Sequence, residues 1–242
     1  MTKKLLGLLL LAPAALWLTA CDDGPVDESV SFTQQGRNVR LAATLTGTDT
    51  WPDGYKLALA AFDSESDYAL TARTLTAIPA DGKVSVALTG IPDEAVTVEL
   101  CVLNNLRQRI ATFASLEGAD LLTGQDTIPF AAGDVRMSMF EAVQREVFNT
   151  TCVGCHGAGD GAAAGLYLTE GRSHDALVGQ PSKKVDGAQL VVPGDPDASV
   201  LYGLIATEGY CDDTWHYRHI NEINNTRLHT LVRDWIEQGG NN

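Results

Sequence analysis

Ser138-Met139-Phe140-Glu141-Ala142-Val143-Gln144-Arg145-Glu146-Val147-Phe148-Asn149-Thr150-Thr151-Cys152-Val153-Gly154-Cys155-His156 is the stretch on which the reading of this chain turns. Ser138 followed three residues later by Glu141 has the form of a capping box. Phe140, Val143 and Val147 then recur at helical spacing. The pattern predicts a helix that ends just before Cys152 and delivers Cys-x-x-Cys-His at its far end. Two thiols three positions apart suit thioether bonds to the two vinyl groups of one porphyrin. The adjacent imidazole then reaches the iron as an axial ligand, so the run reads as the attachment sequence of a c-type haem. A redox dithiol or half of a zinc site uses similar residues. A zinc site wants a second regularly spaced pair of ligands. After the motif the chain offers only the lone Cys211 and the histidines His174, His216, His219 and His229. A thioredoxin-like dithiol wants a βαβ context, which the flanks do not supply.

Upstream the pattern is different. From Val30 to Phe130 the chain is rich in Thr, Val, Ala and Leu in short alternating runs: residues 39–45, 55–62, 84–88 and 96–103. Pro52-Asp53-Gly54, Asp81-Gly82 and Pro92-Asp93 separate them as turn signals. This spacing predicts an antiparallel β-sandwich of roughly seven strands, Ig-like in outline, over 30–130. Its Ser and Asp residues fall at turns and form no catalytic constellation. Ala131-Ala132-Gly133-Asp134 reads as a hinge. Beyond it, over 134–242, helical signals dominate. Asp195-Pro196 looks like an N-cap with proline at N1, opening a helix through about Ile205. Leu228, Leu231, Val232, Trp235 and Ile236 form a helical stripe, with Asn225 as cap and Gly239-Gly240 as stop. The expected fold is therefore two-domain: an all-β sandwich followed by an all-α domain.

The first residues carry an address. Lys3 and Lys4 precede an uncharged stretch from Leu5 to Ala20, shorter than the ~20 residues that span a bilayer, so residues 1–20 read as a signal peptide. It ends Leu18-Thr19-Ala20-Cys21, which resembles a bacterial lipobox with Cys21 as the lipidated first residue of the mature chain. Residues 21–29 would then be a tether. Two acyl chains give stable anchoring, at roughly 0.8 kcal/mol per buried methylene. The expected place is the cell envelope, membrane-anchored, facing the periplasm or the cell surface. That location suits the motif, because haem c is attached outside the cytoplasm. The chain has 17 basic and 31 acidic residues, a formal charge of −14 that becomes −16 once Lys3 and Lys4 are removed. Such acidity argues against nucleic acid and against adhesion to anionic lipid, and is compatible with a basic redox partner. Of five cysteines, one would go to lipid and two to haem. Cys101 and Cys211 remain, as separate buried thiols or as a disulfide stapling the two halves.

From Met137 to Gly240 the chain resembles the cytochrome c-like domain of many bacterial exported proteins. That family pattern runs helix, Cys-x-x-Cys-His-Gly, Gly-Leu-x-Leu, Val-x-Pro-Gly-x-Pro-x-x-Ser-x-Leu and a terminal Trp-Ile-x-x-Gly. The present counterparts are Cys152 to Gly157, Gly165-Leu166-Tyr167-Leu168, Val191 to Leu201 and Trp235 to Gly240. The resemblance implies one covalent haem c on Cys152, Cys155 and His156. Leu166, Leu168, Val192, Pro193, Leu201, Ile205, Leu231 and Trp235 would be its apolar walls. The family's second axial ligand is a methionine upstream of the terminal Trp-Ile, but here the only methionines are Met1, Met137 and Met139. Counting back from Trp235, the vacated place falls at Arg218-His219-Ile220, which nominates His219 as distal ligand, with His216 as the alternative. A water-ligated iron or Cys211 are the remaining options. His229 lies off the stripe of its helix and is expected to face solvent; His174 is expected in a loop. Bis-imidazole ligation would lower the potential relative to His/Met relatives.

These readings point to a membrane-tethered one-electron carrier with an unidentified redox partner, rather than to an enzyme. An open iron position would instead suit a haem enzyme or gas sensor, but no distal acid–base pair is evident. A third reading makes the β half a surface-binding module and the haem an accessory.

Overall fold

A computed structural model describes residues 36–157, 159, 161–211, 216, 223 and 225–242. The expected signal peptide, Cys21, the expected tether and His219 lie outside the described residues. Seven strands form two sheets: β1 (Arg37–Thr46), β2 (Tyr55–Phe62), β3 (Thr71–Thr74), β4 (Lys83–Ile91), β5 (Thr97–Asn104), β6 (Arg109–Glu117) and β7 (Ile128–Arg136). One sheet has the order β4-β1-β7 and the other β3-β2-β5-β6. The alternating runs at 39–45, 55–62, 84–88 and 96–103 lie in β1, β2, β4 and β5.

The pairing is not purely antiparallel, since β7 runs parallel to β1 from Val39↔Ile128 to Thr46↔Arg136. The expected hinge at 131–134 is also part of β7. Ala42 pairs with Ala131 and Ala43 with Gly133, which leaves Ala132 as the extra residue of a bulge. Gly133, at φ 71, takes the left-handed conformation that the bulge needs. Small residues that suggested flexibility serve instead to bend a paired strand.

The expected all-α C-terminal domain is not what forms. The helices after β7 are short: α1 (Met139–Val143), α2 (Val153–His156), α3 (Ser173–Leu177), α4 (Val200–Ala206) and α5 (Thr226–Glu237), with a π-helical stretch, Gln144–Cys152, joining α1 to α2. Residues 178–199 run irregularly through turns and bends held by isolated bridges, Val178↔Val191, Pro181↔Gln189, Gln189↔Ser199 and Val192↔Asp195. Gly179, Pro181, Gly187, Pro193, Gly194 and Pro196 break helical continuity there. The helix expected from Pro196 starts at Val200, because Asp195 spends its Oδ1 on the Ala198 N–H at 3.0 Å in a local turn.

Nor do the β and C-terminal parts keep separate cores. One apolar cluster runs from Val39 and Leu41 through Leu59, Leu100 and Phe113 to Val147, Leu201, Trp235 and Ile236. Polar ties cross the same boundary. The Trp51 indole donates to the Met137 carbonyl at 2.6 Å, the Tyr55 hydroxyl to Asp234 Oδ2 at 2.6 Å, and the Met139 N–H to Thr50 Oγ1 at 2.8 Å. The outer face of the four-stranded sheet carries a smaller cluster of Ala58, Ala60, Phe62, Cys101 and Leu103. Among the described residues, no helix is long and apolar enough to cross a membrane.

Candidate functional site

The helical run from Met139 to His156 presents Cys152 and His156 inward and Cys155 outward. Its start is capped as expected, with Ser138 Oγ accepting from the Glu141 N–H at 3.2 Å. The Glu141 carboxylate binds Arg145 at 2.8 Å, so only half of the capping box forms. Gly157 closes the run because a Cβ there would stand 2.5 Å from the Val153 carbonyl oxygen. A side chain at 157 would force the end of α2 apart.

His156 is buried and firmly oriented. Its Nδ1 lies 3.0 Å from the Leu166 carbonyl, and its own carbonyl accepts from the Leu168 N–H at 2.8 Å. A carbonyl only accepts, so Nδ1 donates its N–H there, and Nε2 is the nitrogen that would be used to ligate a metal. The Leu166–Leu168 segment is pinned in turn by Gln144, whose Nε2 donates to the Leu168 carbonyl at 2.9 Å while its Oε1 accepts from Ser173 Oγ. Gln144 is itself buried.

His156 faces a two-part cavity. An inner recess of about 40 Å³ is lined by Cys152, His156, Leu166, Leu168, Leu177, Leu190, Leu201, Leu204, Ile205 and His216. It opens into an outer cleft of about 320 Å³ that shares His156, Leu166, Leu190, Leu204 and His216 and adds polar residues at its mouth. The rings of His156 and His216 have centres 6.1 Å apart and planes 13° from parallel.

Four of the eight expected walls stand here: Leu166, Leu168, Leu201 and Ile205. Pro193 and Trp235 stand elsewhere. Pro193 is exposed in a turn. Trp235 is buried against Phe140, with ring centres 5.1 Å apart, and donates to the Asn241 carbonyl at 2.8 Å. Val192 and Leu231 do not line the cavity either. Leu177, Leu190, Leu204 and the supporting Gln144 were not anticipated. Leu204 follows Leu201 by three positions on α4, a helical signal present in the sequence.

The other candidates also find places. His174 belongs to α3 rather than a loop; its Nε2 meets the Gly240 carbonyl at 2.8 Å and its ring stands edge-on to Phe140. His229 does not simply face solvent, since its Nε2 is buried without a hydrogen-bond partner. Cys101 and Cys211 are buried thiols, not joined to each other. Burial pushes the Cys101 thiol well above its ordinary pKa, and the Glu99 carboxylate adds to this. Among the described residues, no three His, Cys, Asp or Glu side chains converge as a metal cluster, so the cleft offers an imidazole pair rather than a tetrahedral set.

No family model, curated protein or solved structure matches the chain. The fit of a haem therefore rests on the residues themselves. Two imidazoles sharing one iron at ~2.0 Å, each ring centre ~1.1 Å behind its nitrogen, have centres about 6.2 Å apart, which is close to the observed spacing. Cys152 at the recess, leucine walls and a carbonyl-bound imidazole suit a haem c held there; Cys155, three residues on, is exposed and lies outside the lining.

Proposed function

We propose that this chain is a membrane-tethered, exported c-type cytochrome carrying one covalent haem for one-electron transfer. The observation that carries the reading is the His156–His216 pair: near-parallel rings 6.1 Å apart across a leucine-lined recess that begins at Cys152, with His156 locked by the Leu166 carbonyl. Cys152 and Cys155 would hold the porphyrin and His156 would ligate its iron from the Leu166 side. His216 is the distal ligand that this geometry favours; His219, nominated by its distance from Trp235, lies outside the described residues. Bound haem supplies a one-electron couple, and two neutral imidazoles hold it at a lower potential than imidazole with thioether. The leucine walls would shield a bound haem from water. Among the described residues the recess is lined, apart from Cys152, His156 and His216, by aliphatic side chains, which favours a carrier reading. The lipobox-like Leu18-Thr19-Ala20-Cys21 supports tethering to an envelope membrane.

The test is a redox titration of the mature protein with spectra of the reduced form under carbon monoxide. A low-spin spectrum unchanged by carbon monoxide, with a midpoint below that of His/Met relatives, is expected. A carbon monoxide adduct formed at once would overturn the carrier reading in favour of an open-iron sensor.

A further inference from the structure

The outer cleft changes chemistry along its length. Its inner end is Leu166, Leu190 and Leu204; its mouth is Gln180, Ser182, Lys183 and Lys184. In a chain with 31 acidic and 17 basic residues, two adjacent ammonium groups at the rim of an apolar cleft are a departure from the general surface. Their position is built rather than incidental. Ser182 Oγ accepts from the Lys184 N–H at 3.1 Å and the Val185 N–H at 3.0 Å, fixing the turn that bears both lysines. Lys183 Nζ donates to the Ala164 carbonyl at 2.6 Å. That carbonyl belongs to a strained turn, since Ala164 holds a left-handed φ of 55° immediately before Gly165 at 71°. An ammonium has three donors, so Lys183 keeps two for another acceptor. Asp175 also lines the cleft; its carboxylate lies 3.2 Å from His174 Nδ1 and makes no ion pair with either lysine among the described residues.

We propose that Lys183 and Lys184 form a carboxylate-binding edge that takes the two propionates of the porphyrin and thereby sets its redox potential. The inference rests on the haem reading above. Haem c has the same polarity as the cleft: thioethers on one edge, two carboxylates on the opposite edge. Cys152 lies in the inner recess and the lysines lie in the outer cleft, which does not include Cys152. Two cations beside the macrocycle favour the electron-rich, reduced form and keep the propionates ionised.

The experiment uses the full mature protein and three variants: Lys183→Gln with Lys184→Gln, Lys183→Glu with Lys184→Glu, and Lys56→Gln as a charge control on an exposed strand residue. Haem per chain is measured by pyridine haemochrome, then midpoint potential is followed from acid to alkaline pH. The double Gln variant is expected to keep its haem. Its oxidised-to-reduced ratio at a set potential should shift about tenfold, ~59 mV for one electron. A new pH-dependent segment should appear as the propionates titrate, and the Glu pair should shift further. Parent-like potentials at every pH in haem-loaded variants, or an equal shift in Lys56→Gln, would overturn the propionate edge while leaving the haem reading intact. A colourless parent would overturn both.

Discussion

His156 is oriented by its immediate neighbourhood: the Leu166 carbonyl accepts from Nδ1–H at 3.0 Å, the Leu168 N–H binds its main-chain carbonyl, and Gly157 follows it. Across the recess, His216 stands at the spacing a shared iron requires. His216→Ala should therefore open the iron, giving a high-spin spectrum that binds carbon monoxide, whereas His219→Ala should remain low-spin. The opposite pattern in the two spectra would make His219 the ligand. At this scale Cys152 and His156 were singled out by spacing and are buried, with His156 on the cavity; of the walls implied by the resemblance, Leu166, Leu168, Leu201 and Ile205 line it and Val192, Pro193, Leu231 and Trp235 do not. Gln144 was not singled out, because a glutamine in a helical stretch reads as surface; only the Leu168 carbonyl and Ser173, brought to it by the chain's return, make it buried. Leu190 was hidden for another reason: it sits in a Gly- and Pro-rich segment with no period to mark a face.

At the scale of elements, helix ends were readable and helix extents were not. Ser138 and Asn225 cap α1 and α5, the latter accepting from the Arg227 N–H at 3.0 Å. Local hydrogen bonding determines caps, and local sequence reports it. The start of α4 depends instead on Ser199, whose hydroxyl donates to the Asp195 carbonyl at 2.7 Å and accepts from the Val192 N–H at 2.8 Å, contacts set by the turns that precede it. One residue of α4 is sterically pinned. A Cβ at Gly203 would lie 2.3 Å from the Tyr210 ring. Gly203→Ala should lower stability by about 1–3 kcal/mol through overpacking, read as a fall in denaturation midpoint. An unchanged midpoint would mean that Tyr210 is not seated against α4.

At the scale of the whole molecule, the sheets and the haem-motif segment are joined by charge as well as by a shared core. Arg109 binds Glu99 at 2.6 Å and Asp67 at 2.8 Å, and Arg227 of α5 binds Asp67 at 2.7 Å. Burial works to raise the Asp67 carboxyl, but the two guanidiniums outweigh it and hold it below its ordinary range. Its contribution is present above pH ~4 and is lost as pH falls through the lowered value. Glu146, on the π-helical stretch, has the opposite sign. Burial raises it above its ordinary 4.5 despite the Thr112 N–H at 3.2 Å and the positive charge of both arginines. The stability it contributes is full below pH 4.5 and is lost as pH rises through the raised value. Glu146→Gln should therefore be at least as stable as the parent at pH 7, with the advantage vanishing below pH 4.5 in denaturant melts at several pH values. A variant less stable at pH 7 than at pH 4, relative to the parent, would contradict that sign. The composition shift near residue 133 was visible in the sequence, but not that β7 would pair parallel to β1 across it or that one core would serve both sides. Those features come from contacts between residues far apart in the chain, which periodicity does not record.

The account turns on a porphyrin bonded to this chain's own cysteines. Pyridine haemochrome on the full chain, produced in a host with haem-attachment machinery and compared with Cys155→Ala, addresses it most directly. One non-extractable haem per chain in the parent, with a shifted single-thioether band or sharply reduced haem in the variant, is the predicted result. A parent protein without covalent haem would contradict it.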